Sequence, residues 1–300
     1  MIDETSRVDD LAACGHRGSA LVALHTAVAL FGFAALFGQW IALPATAIVL
    51  GRTTTAAATL AIVARLRGQR IGRGDRRLAA NGAILASHWV SFFAAVKIAG
   101  VPIALLGYAV FPVFVLLLER PHRSSGIREW TTALLATAGL VALVPELSWA
   151  NHATRGLAWA LVSAFTFAWL TVRNRALVAT RSATGIALWQ NLFAAVCLLP
   201  WVVAFDGRAA LPAPIDIGLL LVLGTLCTGL SHTLFIASMR RVSAHTASVV
   251  AALEPVYGIV LAALLLGERP GSRTIMGGVL IVAAALNASL RTEVGEARGV

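Results

Sequence analysis

The stretches SHWVSFFAAVKIAGVPIALLGYAVFPVFVLLLERP (87–121) and SHTLFIASMRRVSAHTASVVAALEPVYGIVLAALLLGERP (231–270) carry the same landmarks in the same order. Each opens on a serine-histidine pair, Ser87-His88 or Ser231-His232. A cation follows, Lys97 or Arg240, and then a proline, Pro112 or Pro255. Each closes on Glu-Arg-Pro, at 119–121 and at 268–270. The step from histidine to proline is 24 residues in the first stretch and 23 in the second. Self-similarity of this kind signals two units folded alike. In a strongly apolar chain it points to internal repeats, with a site where the repeats meet.

Composition places those repeats in lipid. Apolar residues make up 58% of the chain and charged ones 13%, whereas a soluble domain carries about 25% charge. Ten stretches approach the ~20 apolar residues that a membrane span needs. They are 18–37, 40–63, 79–98, 102–118, 129–147, 156–174, 183–204, 215–238, 244–266 and 273–290. The expected fold is all-α and integral to the membrane, with ten transmembrane helices arranged as two inverted five-helix repeats. The repeats are assigned to 17–147 and 155–291, with a disordered cytoplasmic tail at 1–16 and a cytoplasmic tail at 292–300.

The net charge of +10 does not indicate nucleic acid, because the arginines lie between apolar stretches and not along one basic face. There they set orientation. Counting alternately from a cytoplasmic N-terminus puts 18 of the 24 basic residues inside and 6 outside. The inner group includes Arg65, Arg70, Arg173, Arg181 and Arg240; the outer group includes Arg52 and Lys97, read as snorkelling to the outer face. Both termini are therefore expected in the cytoplasm. Five spans per repeat is an odd number, so the second repeat enters from the opposite face. The acidic start (Asp3, Glu4, Asp9, Asp10) does not suit a signal peptide. Cys14, Cys197 and Cys227 are scattered without metal-site spacing and read as small apolar fillers.

Polar groups inside the spans mark the candidate site. Glu254 falls near the middle of the ninth span and precedes Pro255. A charge at the bilayer centre costs roughly 2.5–3.5 kcal/mol on insertion scales, so it faces the bundle interior or a wet cavity. Pro255 lacks a backbone donor and frees the Ala251 carbonyl, which makes a kink; Pro112 is its counterpart, and both are candidate hinges. Two roles are open for Glu254: contact with a substrate amine or proton, or a structural hydrogen bond to a neighbouring helix. His88 and His232 occupy matching places in spans three and eight, with Ser91 and Ser231 beside them on the polar stripes. His25 lies on the face of Gly32 and Gln39 in span one. Such stripes either pack against a neighbouring helix or line a cavity. Trp159 shares a face of span six with Ser163 and is either a cavity wall or a lipid contact. Tyr108 and Tyr257 lie near the two prolines, and each hydroxyl needs a partner in lipid. Gln190 and Asn191 open span seven and are assigned to the interface. No phosphate loop, no His-Glu-x-x-His and no paired intramembrane aspartate is present, so no catalytic residue, metal or cofactor is assigned.

The ten spans, the two halves, Leu253-Glu254-Pro255-Val256-Tyr257, the following Leu264 to Arg269 and Gly277-Gly278 resemble the EamA-type domain of the drug/metabolite transporter superfamily. The resemblance covers residues 18–290, and the first half departs from it by having Val110-Phe111 where a glutamate would precede Pro112. It implies an inner-membrane carrier with cytoplasmic termini, exporting amino acids or similar small metabolites, with a cavity built mainly from spans of both halves. Its expected partners are the lipid bilayer, a small solute and protons. The expected function is secondary transport by alternating access; an uncoupled facilitator of the same fold is the first alternative, and a non-transport membrane subunit the second.

Overall fold

In the computed structural model, which describes residues 4–119, 127–143, 148–251 and 253–296, every regular element among the described residues is a helix. The first half holds α1 (Glu4–Trp40), α2 (Ala45–Leu66), α3 (Arg76–Tyr108), α4 (Phe111–Glu119) and α5 (Ile127–Leu143). The second holds α6 (His152–Val178), α7 (Ala183–Trp201), α8 (Pro214–Gly224), α9 (Ser231–Ser238), α10 (Ala244–Ala251), α11 (Glu254–Leu265) and α12 (Ser272–Glu296). A π-helical turn, Thr225–Leu230, joins α8 to α9. Among the described residues six helical runs are long and apolar enough to cross a membrane: Gly18–Trp40, Ala45–Leu66, Arg76–Tyr108, His152–Val178, Ala183–Ala210 and Pro214–Ser238. Leu134–Leu143, Glu254–Leu265 and Ser272–Ala284 are apolar but shorter.

Two boundaries differ from expectation. Helix α1 starts at Glu4, so residues 4–16 are helical, whereas the apolar span within it is Gly18–Trp40. Likewise α12 runs to Glu296, into the expected C-terminal tail. Arg120, Pro121, Arg123 and residues 144–147 at the end of the fifth expected span lie outside the described residues.

Local chemistry explains where the helices begin. The Asp75 carboxylate caps α3 by accepting from Leu78 N at 2.9 Å, and Asn151 caps α6 by accepting from Ala153 N at 2.8 Å. Ser182 caps α7 through Gly185 N at 3.1 Å. Pro214 begins α8, where its missing donor costs nothing. The spans expected at 102–118 and 244–266 are each broken. In the first, α3 turns at Ala109-Val110 and the chain restarts as α4 at Phe111; the other break in α3, at Gly100 (φ +82°), falls between the expected third and fourth spans. In the second, α10 ends at Ala251 and α11 restarts at Glu254. Pro112 and Pro255 thus sit second in a new helix, where proline is tolerated, and the break precedes them. The Glu268 carboxylate accepts from the Val101 N–H freed by the Gly100 break. Partial burial, opposed by that bond, raises its pKa above the ordinary value.

The helices pair in a regular way. Helix α3 lies along α6, and α1 along α9. Helix α4 packs on α6, and α11 on α1. Helices α2 and α7 pack together, as do α5 and α12. Small residues allow these approaches. A Cβ on Gly32 of α1 would stand 2.9 Å from Gly258 N and 3.0 Å from Glu254 O of α11. The two backbones therefore touch one another beside Glu254.

Candidate functional site

Where the halves meet, α1, α2, α3, α6, α9 and α11 enclose a cavity of ≈ 20 Å³. It is lined by Phe31, Ala34, Arg52, His88, Trp89, Phe92, Tyr108, Phe167, His232 and Glu254. That volume is room for about one water.

Glu254 is brought there by the break before α11, which makes it the first residue of the new helix. It is 4% exposed, and its Oε2 has no hydrogen-bond partner. His88 is buried, and its Nδ1 lies 3.1 Å from Ser163 O and 2.8 Å from Ser163 Oγ. His232 is 1% exposed, its Nε2 is 3.1 Å from Gln190 Oε1, and its Nδ1 is unpartnered. Tyr108 stacks on Phe111 at 5.1 Å between centroids and stands 5.6 Å from the His88 ring.

Arg52 is the largest departure from the sequence reading. It does not snorkel outward: it is 1% exposed and points into the cavity. Its Nε donates to Thr228 Oγ1 at 2.9 Å and its Nη2 to Cys227 O at 3.2 Å. The guanidinium lies 4.0 Å over the Trp89 ring and 5.2 Å from Phe93, a cation-π arrangement that stabilises a desolvated cation. Both oxygen partners come from the π turn. Within it Ser231 N bonds Leu226 O, five residues back, and Thr228 Oγ1 donates to Leu223 O at 2.7 Å. A π turn in an α-helix is a frequent mark of a functional position. The available signal was depth: Arg52 is about 10 Å along α2 at 1.5 Å per residue, too far in for a loop cation.

Other expectations part from the cavity. His25 is exposed on α1. Trp159 is 43% exposed and Tyr257 37% exposed, on the outer faces of α6 and α11. The inward wall of α6 is instead Ser163 and Phe167. Ser91 and Ser231 are buried near the cavity but spend their hydroxyls on their own helices, at Ser87 O and Thr228 O. Pro112 and Pro255 are buried at the two helix starts. Gln190 and Asn191 are not interfacial: both are 0% exposed. Gln190 joins Asn81 and Asn174 in a buried amide cluster that abuts His232.

Both ends of the bundle are tied. At one, Asp75 pairs with Arg181 at 2.6 Å. At the other, Gln39 Nε2 donates to Val96 O at 3.0 Å, Lys97 Nζ to Ile41 O at 3.0 Å, and Asp216 accepts from Ala42 N at 3.3 Å.

Comparison with known proteins adds the following. Residues 154–290 match the EamA-like transporter family. An uncharacterized transporter, YxxF of Bacillus subtilis (strain 168), is 25% identical over 277 residues, covering 89% of this chain and 88% of that one. An uncharacterized transporter of Archaeoglobus fulgidus is 26% identical over 217 residues, covering 72% and 77%. A solved crystal structure superposes with a TM-score of 0.70 at 20% identity, covering 95% of this chain and 100% of that one. That likeness concerns the fold. The resemblance read from Glu254-Pro255 and Leu266-Gly267-Glu268 holds, and the matched stretch is the half that carries them.

Proposed function

From a multi-span membrane transporter whose second half matches the EamA-like family, we propose an inner-membrane secondary carrier that exports amino acids or similar small metabolites by alternating access. The observation that carries this reading is a cavity lined by both Arg52 and Glu254. An amino acid presents a carboxylate and an ammonium together. The planar guanidinium suits the first, and an acceptor-only carboxylate suits the second. Phe31, Phe92 and Phe167 give an apolar wall for the rest of the solute.

Alternating access fits this reading, because the ≈ 20 Å³ of the cavity is far below the ≈ 300–1,000 Å³ of a ligand pocket. A solute enters only when the surrounding helices part. The breaks before Pro112 and Pro255 are the hinges in this scheme, each next to a cavity residue. The ten-span inverted architecture is supported by the pairing of helices. Exchanging first-half and second-half spans turns the α1–α9 contact into α6–α3, and α1–α11 into α6–α4. It leaves α2–α7 and α5–α12 unchanged. Both termini are cytoplasmic in this arrangement, with the repeats at 17–147 and 155–291.

Flux of a panel of radiolabelled amino acids into proteoliposomes tests the reading. Glu254→Gln and Arg52→Gln each lower flux about ten- to a hundredfold, the effect of losing one charged hydrogen bond. Wild-type flux and wild-type pH dependence in Glu254→Gln, across the panel, remove the role given to that carboxyl. Export that persists unchanged after the proton gradient is collapsed marks the chain as an uncoupled facilitator.

A further inference from the structure

The amides beneath the cavity form a chain with a direction. Arg173 Nε donates to Asn81 Oδ1. A guanidinium only donates, so Asn81 turns its oxygen to Arg173 and its nitrogen away, to Asn174 Oδ1 at 3.2 Å. Gln190 Nε2 donates to that same oxygen at 2.6 Å. The Gln190 oxygen accepts from Asn174 Nδ2 at 3.5 Å and faces His232 Nε2 at 3.1 Å. An amide oxygen only accepts, so the hydrogen of the neutral ring is on Nε2. Nδ1 is then a bare acceptor, buried, unpartnered and on a ring that lines the cavity. Asn81, Asn174 and Gln190 are each at most 1% exposed, so water does not reset the order.

We propose that Arg173, Asn81, Asn174 and Gln190 are positioning residues that fix the tautomer of His232 and so present Nδ1 to the cavity as an acceptor for a solute ammonium. Glu254 Oε2 is a second unpartnered acceptor on the same cavity. An ammonium carries three donors, and the two acceptors come from two helices, α9 and α11. The ammonium assignment rests on the carrier reading of the cavity. The tautomer does not.

Nitrogen-15 NMR of the full chain, labelled at histidine and held in lipid nanodiscs, reads the tautomer directly. The His232 signals are those that vanish in His232→Phe. The wild-type ring is neutral with hydrogen on Nε2. Gln190→Glu keeps an oxygen acceptor and keeps that pattern; Gln190→Leu removes it and the ring becomes a mixture of tautomers. A wild-type ring with hydrogen on Nδ1 overturns the proposal without any variant having to fold. So does a Gln190→Leu spectrum identical to wild type. Ethylammonium, titrated as the probe, shifts wild-type Nδ1 and binds about tenfold more weakly to Gln190→Leu, the effect of one hydrogen bond. An Nδ1 signal unmoved at saturating ethylammonium sinks the acceptor role. Because none of these readings needs flux, failed transport counts against the carrier reading alone.

Discussion

Arg52 shows how a single side chain ties three helical segments together. Its guanidinium reaches Thr228 and Cys227 of the π turn while stacking on Trp89 of α3. Lysine keeps the charge but lacks the planar fork that makes two bonds and a stack at once. Arg52→Lys is therefore expected to cost about 1–3 kcal/mol of stability, read as a lower melting temperature in detergent alongside reduced flux. At His88 the partner is Ser163, both buried. Ser163→Ala is expected to cost about 1 kcal/mol, the usual effect of a lost neutral hydrogen bond, in the same melting assay. The sequence marked Glu254, His88, His232 and Tyr108 because each is a polar group inside an apolar span. It assigned Arg52 elsewhere because orientation counting treats every cation as belonging to a loop. Trp159 and Tyr257 show the opposite error: an aromatic in a span suits a cavity wall and a lipid face equally, and only packing separates the two.

At the scale of elements, two joints repay testing. The Asp75 carboxylate caps α3 and also pairs with Arg181, which precedes α7. The Leu78 N–H bond first, and Arg181 as well, hold its pKa below the ordinary 3.8. A lowered carboxylate contributes stability that is present above pH 3.8 and is lost as the pH falls through the lowered value. Asp75→Asn keeps an acceptor for the cap but carries no titrating charge. Its melting temperature is expected to fall less than that of wild type on acidification below pH 4, as followed by thermal unfolding across pH. The second joint is α1 against α11 at Gly32 and Gly258. A Cβ at residue 32 meets backbone at 2.9 Å, which cannot swing aside as a side chain can. Gly32→Val is expected to destabilise by about 1–3 kcal/mol through overpacking, and to lower flux because the contact adjoins Glu254. Helix starts at Asp75, Asn151 and Ser182 follow ordinary capping chemistry and are legible in sequence. The break at Gly100 is legible as well, because it falls between the expected spans 79–98 and 102–118; the helical run from Glu4 is not, since an acidic stretch suits a loop equally well.

For the whole molecule, the testable quantity is topology. Reporter fusions after Arg70 and Arg181 are expected to be active as cytoplasmic reporters, and a fusion after Gly207 as a periplasmic one. A cytoplasmic signal at all three sites would remove the inverted arrangement and, with it, the exchange of helix contacts described above. The repeated landmarks and the apolar stretches determined by themselves that this chain is helical, lies in a membrane and carries an EamA-like second half. They did so because period, span length and proline position are properties of neighbours along the chain. Which polar groups share the cavity was decided only by the tertiary structure. Arg52 and Glu254, or Arg173 and His232, are far apart in sequence, and whether they meet depends on how each helix is turned about its axis. That rotation is set by small-residue contacts such as Gly32 on Gly258, and by the π turn that aims Thr228 and Cys227 at Arg52. A pattern along one helix does not encode it.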